Sequence, residues 1–218
     1  MIFFIYQLLT SILLIFSPFI ILYRIFKNKE DKFRVKEKFC FPSELRGNGK
    51  LIWFHGSSVG EIMSIIPIIK IYDNDKSTNK ILITSSTLSS SKILNKIKFK
   101  KTIHQFYPID HSFFSNKFLN YWRPAVAIFL ESEIWPSMFR SIKNKDIPLI
   151  LLNARITKKT ANRWSLIKKF SESIFNLIDI AYPQNFETKK FLKKFKIKNI
   201  KSIGNLKFIK NDESKYDK

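Results

Sequence analysis

Apolar and polar positions divide the chain into three regimes. Residues 1–23 carry no charge and are filled with Ile, Leu and Phe, a run long enough for a helix of about 20 residues to cross a hydrocarbon core. Residues 29–48 form a charged connector. From there on, short β-branched and aromatic runs alternate with stretches of helical period, which is the spacing of βαβ units. The runs predict strands at 51–55, 81–85, 103–107, 125–130, 148–152 and 179–182, with a short last one near 200–203. Helices fill most of the gaps, so the fold class is α/β with a parallel sheet flanked by helices. The stretch 157–178 reads as one helix, with Lys158, Lys159, Arg163, Lys168 and Lys169 set among Leu166, Ile167, Phe170 and Ile174. We read it as a solvated face over a core stripe, a lipid-binding helix being the alternative. Residues 211–218 are polar and read as a linker or frayed end.

Charge changes the picture of the first segment. It follows the apolar run, at Arg24, Lys27 and Lys29, rather than preceding it. A secretory signal would carry its charge first and end in a small-residue cleavage site, so residues 1–27 are read as a retained membrane anchor. The positive-inside rule then keeps the basic flank, and everything after it, in the cytoplasm. A buried core helix, or an interfacial helix bent at Pro18, is the alternative. After the connector at 28–48, residues 49–210 are expected to form one globular domain, because 218 residues at 45% hydrophobic content bury one good-sized core.

The formal charge of +22, from 39 Lys and Arg against 17 Asp and Glu, calls for a polyanionic partner: nucleic acid, an anionic membrane or a phosphorylated lipid. The abundance of Ile, Lys, Asn and Phe that an AT-rich gene would also produce discounts that charge somewhat. A single cysteine, Cys40, excludes an internal disulfide, and three histidines scattered at 55, 104 and 111 argue against a metal site.

Four constellations stand where strands are expected to end, the edge at which open parallel sheets place their ligands. In the first, His55-Gly56-Ser57-Ser58-Val59-Gly60-Glu61, Ser58 and Glu61 have the spacing of a capping box in which Glu61 reaches back to the Ser58 amide. Capping and catalysis both account for Glu61, and the two small glycines leave room for a substrate against the backbone. The second is Glu131-Ser132-Glu133-Ile134-Trp135-Pro136. Glu133 there suits a helix start, whereas a half-buried Glu131 needs a cation or a substrate hydroxyl as partner. The third and fourth are Asn153-Ala154-Arg155 and Gly204-Asn205-Leu206-Lys207. Arg155 and Lys207 on one rim suit a phosphate or carboxylate, the plain alternative being surface charge on a loop. No glycine-rich phosphate loop of either common type occurs, which argues against a complete nucleotide-binding enzyme.

These segments, in order, resemble the N-terminal half of the family that transfers 3-deoxy-D-manno-octulosonic acid (Kdo). The resemblance runs from the apolar N-terminus and the 34–37 connector through Trp53-Phe54-His55 and Ser58-Val59-Gly60-Glu61. It continues at Phe106-Tyr107-Pro108-Ile109-Asp110, Arg123-Pro124, Glu131 to Pro136, Asn153-Ala154-Arg155, Gln184-Asn185 and Gly204 to Phe208. It implies the N-terminal, acceptor-binding Rossmann-like domain of a GT-B glycosyltransferase that moves Kdo from CMP-Kdo to a lipid A precursor, with no cofactor and no metal. It also implies Glu61 as the general base, Glu131 and Lys207 as transition-state stabilisers, and Ser58, Gly60 and Arg155 as substrate-binding positions. The donor-binding domain is expected to be missing, so that CMP-Kdo binds through a separate C-terminal domain. The chain is then a fragment, an interrupted gene product or one piece of a split enzyme. The alternative is a non-catalytic, membrane-bound lipid A-binding remnant of the same family. A nucleic-acid module rests on net charge alone, and the apolar N-terminus argues against it.

Overall fold

Alternating side chains within each strand feed two cores, one on each face of a single sheet. The computed structural model describes residues 2–76 and 80–206. Six parallel strands run β1 (Leu51–His55), β2 (Lys80–Ser85), β3 (Thr102–Phe106), β4 (Val126–Leu130), β5 (Leu149–Ala154) and β6 (Ile180–Pro183), in spatial order β3-β2-β1-β4-β5-β6. In β1, Leu51 and Trp53 point into one core while Phe54 points into the other. The second core is covered by α2 (Val59–Asn74) and α3 (Leu88–Leu94), through Ile62, Ile65, Ile69 and Leu94. The larger first core is covered by α4 (Ser112–Trp122), α5 (Pro136–Lys143), α7 (Lys168–Phe175) and α8 (Phe186–Lys194), where Trp53, Phe118, Phe129, Phe139 and Phe175 are fully buried. This Rossmann-like arrangement matches the expected class and the first six strands to within two residues at each end.

The seventh strand does not form. Beyond α8 the chain meets β6 at one bridge, Ala181 to Ile200, held by the Ala181 amide on the Asn199 carbonyl and the Lys201 amide on the Ala181 carbonyl. It then leaves the sheet with Ile203 more than half exposed. No second face is buried there to hold an edge strand.

The expected single helix at 157–178 is two, α6 (Lys158–Leu166) and α7, hinged at Ile167 with φ −118° and ψ 47°. The Ser171 hydroxyl donates to the carbonyls of Trp164 and Ile167, which also accept from the Ile167 and Ser171 amides, and so ties α7 back to the end of α6. Phe170 and Ile174 are core, as the stripe predicted. Leu166 is 86% exposed and Ile167 39%, so those two lie outside it.

The apolar N-terminus is one helix, α1 (Ile2–Phe26), long and apolar enough to span a membrane and almost unburied. It is also docked. Tyr6, Gln7 and Ser11, adjacent on a 3.6-residue period, face the domain. The Tyr6 hydroxyl donates to Asp110, the Gln7 amide to Ser137 Oγ at 2.7 Å, and Ser11 Oγ lies 3.1 Å from His111 Nε2. Most of its remaining large side chains face outward.

Candidate active site

The strand order reverses between β1 and β4, and the crevice beyond their carboxyl ends is where a parallel sheet of this kind binds ligands. His55 ends β1 and Glu131 follows β4, so the sequence segments singled out above flank that crevice. Gly56 makes the turn possible. A Cβ there would stand 2.8 Å from Leu130 Cδ1 and 3.2 Å from Glu61 Cβ, so this glycine serves close packing rather than room for a substrate. Gly60, by contrast, has open space where its Cβ would be.

Ser58 caps α2, its Oγ accepting from the Glu61 amide at 3.3 Å. The reciprocal half of the box differs from expectation. Glu61 Oε2 accepts from the Ser57 amide at 2.8 Å, not from that of Ser58, and Glu61 Oε1 accepts from the Ser58 hydroxyl at 2.9 Å. Burial, then the neighbouring charges of Glu133 and Glu131, push the Glu61 carboxyl above its ordinary pKa against these hydrogen bonds. A half-buried carboxylate of raised proton affinity at a sheet switch point is suited to taking a proton.

Glu133 is not at a helix start. Helix α5 begins at Pro136, and Trp135 caps it with no side-chain bond. That missing cap is supplied from a distance, because Asp110 accepts from the amides of Ser137 at 3.1 Å and Met138 at 2.9 Å. Glu133 instead turns into the crevice. Its Oε2 accepts from the Ser57 hydroxyl at 2.7 Å and the Trp135 indole at 2.9 Å, and lies 3.2 Å from His55 Nε2. Burial disfavours its ionised form, but these donors outweigh burial and hold its pKa below the ordinary value.

His55 is fully buried and stacked on Tyr107, ring centroids 3.9 Å apart, and burial lowers its pKa despite Glu133. Its Nε2 faces the Glu133 carboxylate, its Nδ1 lies 2.9 Å from Thr84 Oγ1 and 3.2 Å from the Thr84 carbonyl, and Thr84 Oγ1 accepts from the Trp53 indole at 2.9 Å. The chain Trp53, Thr84, His55, Glu133 fixes the second carboxylate. Sequence reasoning missed this network. Its only trace was the pairing of a strand-end histidine with an aromatic-rich Glu-Ser-Glu segment.

Glu131 is 6% exposed and holds a left-handed φ of 49°, a conformation that L side chains rarely adopt. Its amide donates to the Leu152 carbonyl and its carbonyl accepts from the Arg155 amide, which pins it to the end of β5. Backbone strain held this way is commonest at functional sites. Arg155 is exposed on the rim of a cleft of about 570 Å³ lined also by Thr157, Lys158, Gln184, Asn185 and Asn205. Asn153 Oδ1 accepts from the Leu206 amide at 3.2 Å, so the Asn-Ala-Arg and Gly-Asn-Leu-Lys segments do meet. Lys207 lies outside the described residues. Among the described residues, no three His, Cys, Asp or Glu gather as a metal site.

The class that this fold and site define is a Rossmann-like domain of the glycosyltransferase type. A UDP-N-acetylglucosamine 2-epimerase from Rickettsia bellii shares the fold, with TM-score 0.51 and 12% identity over 72% of this chain and 45% of its own. The family described as 3-deoxy-D-manno-octulosonic-acid transferase (kdotransferase) matches residues 33–210, and the chain belongs to it. Relatives include the 3-deoxy-D-manno-octulosonic acid transferase of Rickettsia bellii, 36% identical over 93% of this chain and 48% of the relative. A probable mitochondrial one from Arabidopsis thaliana is 37% identical over 74% and 37%, and that of Aquifex aeolicus 34% identical over 82% and 46%. The chain spans at most about half the length of these relatives.

Proposed function

We propose that this chain is the acceptor-side part of a Kdo transferase, which moves Kdo from CMP-Kdo to a lipid A precursor at the cytoplasmic face of a bacterial inner membrane. The observation that carries the reading is Glu61, held at the sheet switch point by the Ser57 amide and Ser58 hydroxyl with its proton affinity raised by burial. A sugar hydroxyl attacking an anomeric carbon must lose its proton as the new bond forms, and Glu61 is the base that takes it. Glu131, locked beside β5, and Lys207, next to the anchored Leu206, are read as stabilising charge in the transition state. Ser58 and Gly60 border the acceptor and Arg155 offers a guanidinium to its phosphate. The CMP-Kdo site is read as belonging to the part of the family's length that this chain does not span, across the cleft of a GT-B pair. Helix α1 supplies the membrane contact: its outward side chains each forgo about 1.5–3 kcal/mol in water.

The test joins this chain to a relative's C-terminal half and measures Kdo transfer. Glu61→Gln keeps the shape and most hydrogen bonds, and should lower transfer roughly a hundredfold or more with the fold intact. Normal transfer by that variant sinks the reading and leaves Glu61 a helix cap.

A further inference from the structure

The hinge between α6 and α7 exposes two large apolar side chains that the fold gives no reason to expose. Leu166 is 86% and Ile167 39% exposed, while Phe170, three residues on, is buried. Around them stand Arg163, Lys168 and Lys169, all exposed, and the one acidic residue on α6 or α7, Glu172, is already engaged by Lys196 at 2.8 Å. The hinge also adjoins the apolar helix. Tyr6 of α1 packs its ring on Phe170 with centroids 6.2 Å apart, and Phe170 stacks on Trp164 at 6.4 Å.

We infer that this hinge is a second membrane-contact element, entering an anionic phospholipid bilayer beside α1. The inference rests on the reading that α1 sits in a membrane, lying along its surface, because Tyr6 beside the hinge is at the opposite end of α1 from Arg24. An apolar tip ringed by cations fits the interface of anionic lipid: the tip enters the acyl boundary while the long basic side chains reach the headgroups. Continuity with α1 through the Tyr6, Phe170 and Trp164 rings fixes the hinge relative to that helix. The domain thereby gains a second point of attachment beside the docked helix. Charge selects phosphate-bearing lipid over zwitterionic lipid, since each cation near such a surface adds attraction that salt screens.

The full chain offers a clean probe. Its single cysteine, Cys40, is buried, donates to the Phe114 carbonyl at 3.2 Å and has its thiol pushed up to about 12 by burial, so an introduced surface cysteine labels selectively. Leu166→Cys, and Ile71→Cys as a control on α2 at the other face of the sheet, are each labelled with a polarity-sensitive fluorophore. They are mixed with phosphatidylcholine vesicles with and without phosphatidylglycerol, and far-ultraviolet circular dichroism checks the fold. The label at 166 should brighten several-fold with the anionic vesicles, weakly with the zwitterionic ones, and not at all at 71. Replacing Arg163, Lys168 and Lys169 by glutamine should weaken the response at 166 at least tenfold. A label at 166 that stays water-exposed while the protein floats with vesicles overturns the proposal and leaves the α1 reading standing. Failure to float with any vesicle overturns both.

Discussion

Glu61 and Glu133 are held by one residue between them: the Ser57 amide donates to Glu61 Oε2 at 2.8 Å and the Ser57 hydroxyl donates to Glu133 Oε2 at 2.7 Å. Two carboxylates so coupled cannot ionise independently, and their environments push them apart. Glu133, with the donors, is held ionised, while Glu61, with the burial and the neighbouring negative charge, is held closer to protonation.

Removing the Glu133 charge should therefore lower the Glu61 pKa. In Glu133→Gln, carbon-detected carboxyl titration by NMR should place the Glu61 midpoint below that of the unmodified chain. The acid limb of transfer in the joined enzyme should move the same way. An unmoved Glu61 midpoint with an intact fold means that Glu133 acts on packing alone.

Glu61 also carries a stability signature. Its folded pKa is raised, so its contribution is fully present below the unfolded value near 4.5 and is lost as pH rises through the folded one. At neutral pH, Glu61→Gln should leave stability unchanged or slightly increased, which urea denaturation at pH 7.5 will report. A large loss instead would mark the residue as chiefly structural.

His104 is kept neutral by burial and by the Arg34 guanidinium, which bring its pKa down to about 3. A depressed histidine contributes stability above its unfolded value of 6.5 that is lost as pH falls toward the folded one. His104→Gln retains a polar partner for Ser85, whose Oγ is 2.8 Å from His104 Nε2. It should flatten the decline in urea stability between pH 6.5 and 4.5 by about 1.4 kcal/mol per pH unit. Identical slopes for the two proteins exclude His104 as the cause.

Gly56→Ala should cost about 1–3 kcal/mol, because its methyl collides with the fully buried Leu130 and with Glu61 at the base of the site. A thermal melt of the chain should show a Tm lower by several degrees. An unchanged Tm means that the β1–α2 turn yields where the geometry says it cannot.

Much of this protein was determined locally. Strand positions follow from apolar runs such as 51–55 and 81–85, which tolerate no other burial once helices flank them, and the apolar helix α1 follows from 1–23 by length alone. The motif segments, read in order, carried the family. Tertiary structure decided what local pattern could not. Periodicity at 157–178 continues through Ile167, so only the fit of α7 against the core, with the Ser171 hydroxyl tying it back to Trp164, reveals the hinge. The amide that Glu61 accepts from is that of Ser57 rather than Ser58, and Glu133 faces His55 and Ser57 rather than starting a helix, because its partners depend on which strand ends become neighbours. The parallel order that places β1 beside β4 pairs Ile52 with Val126, and no single-segment pattern encodes that distance.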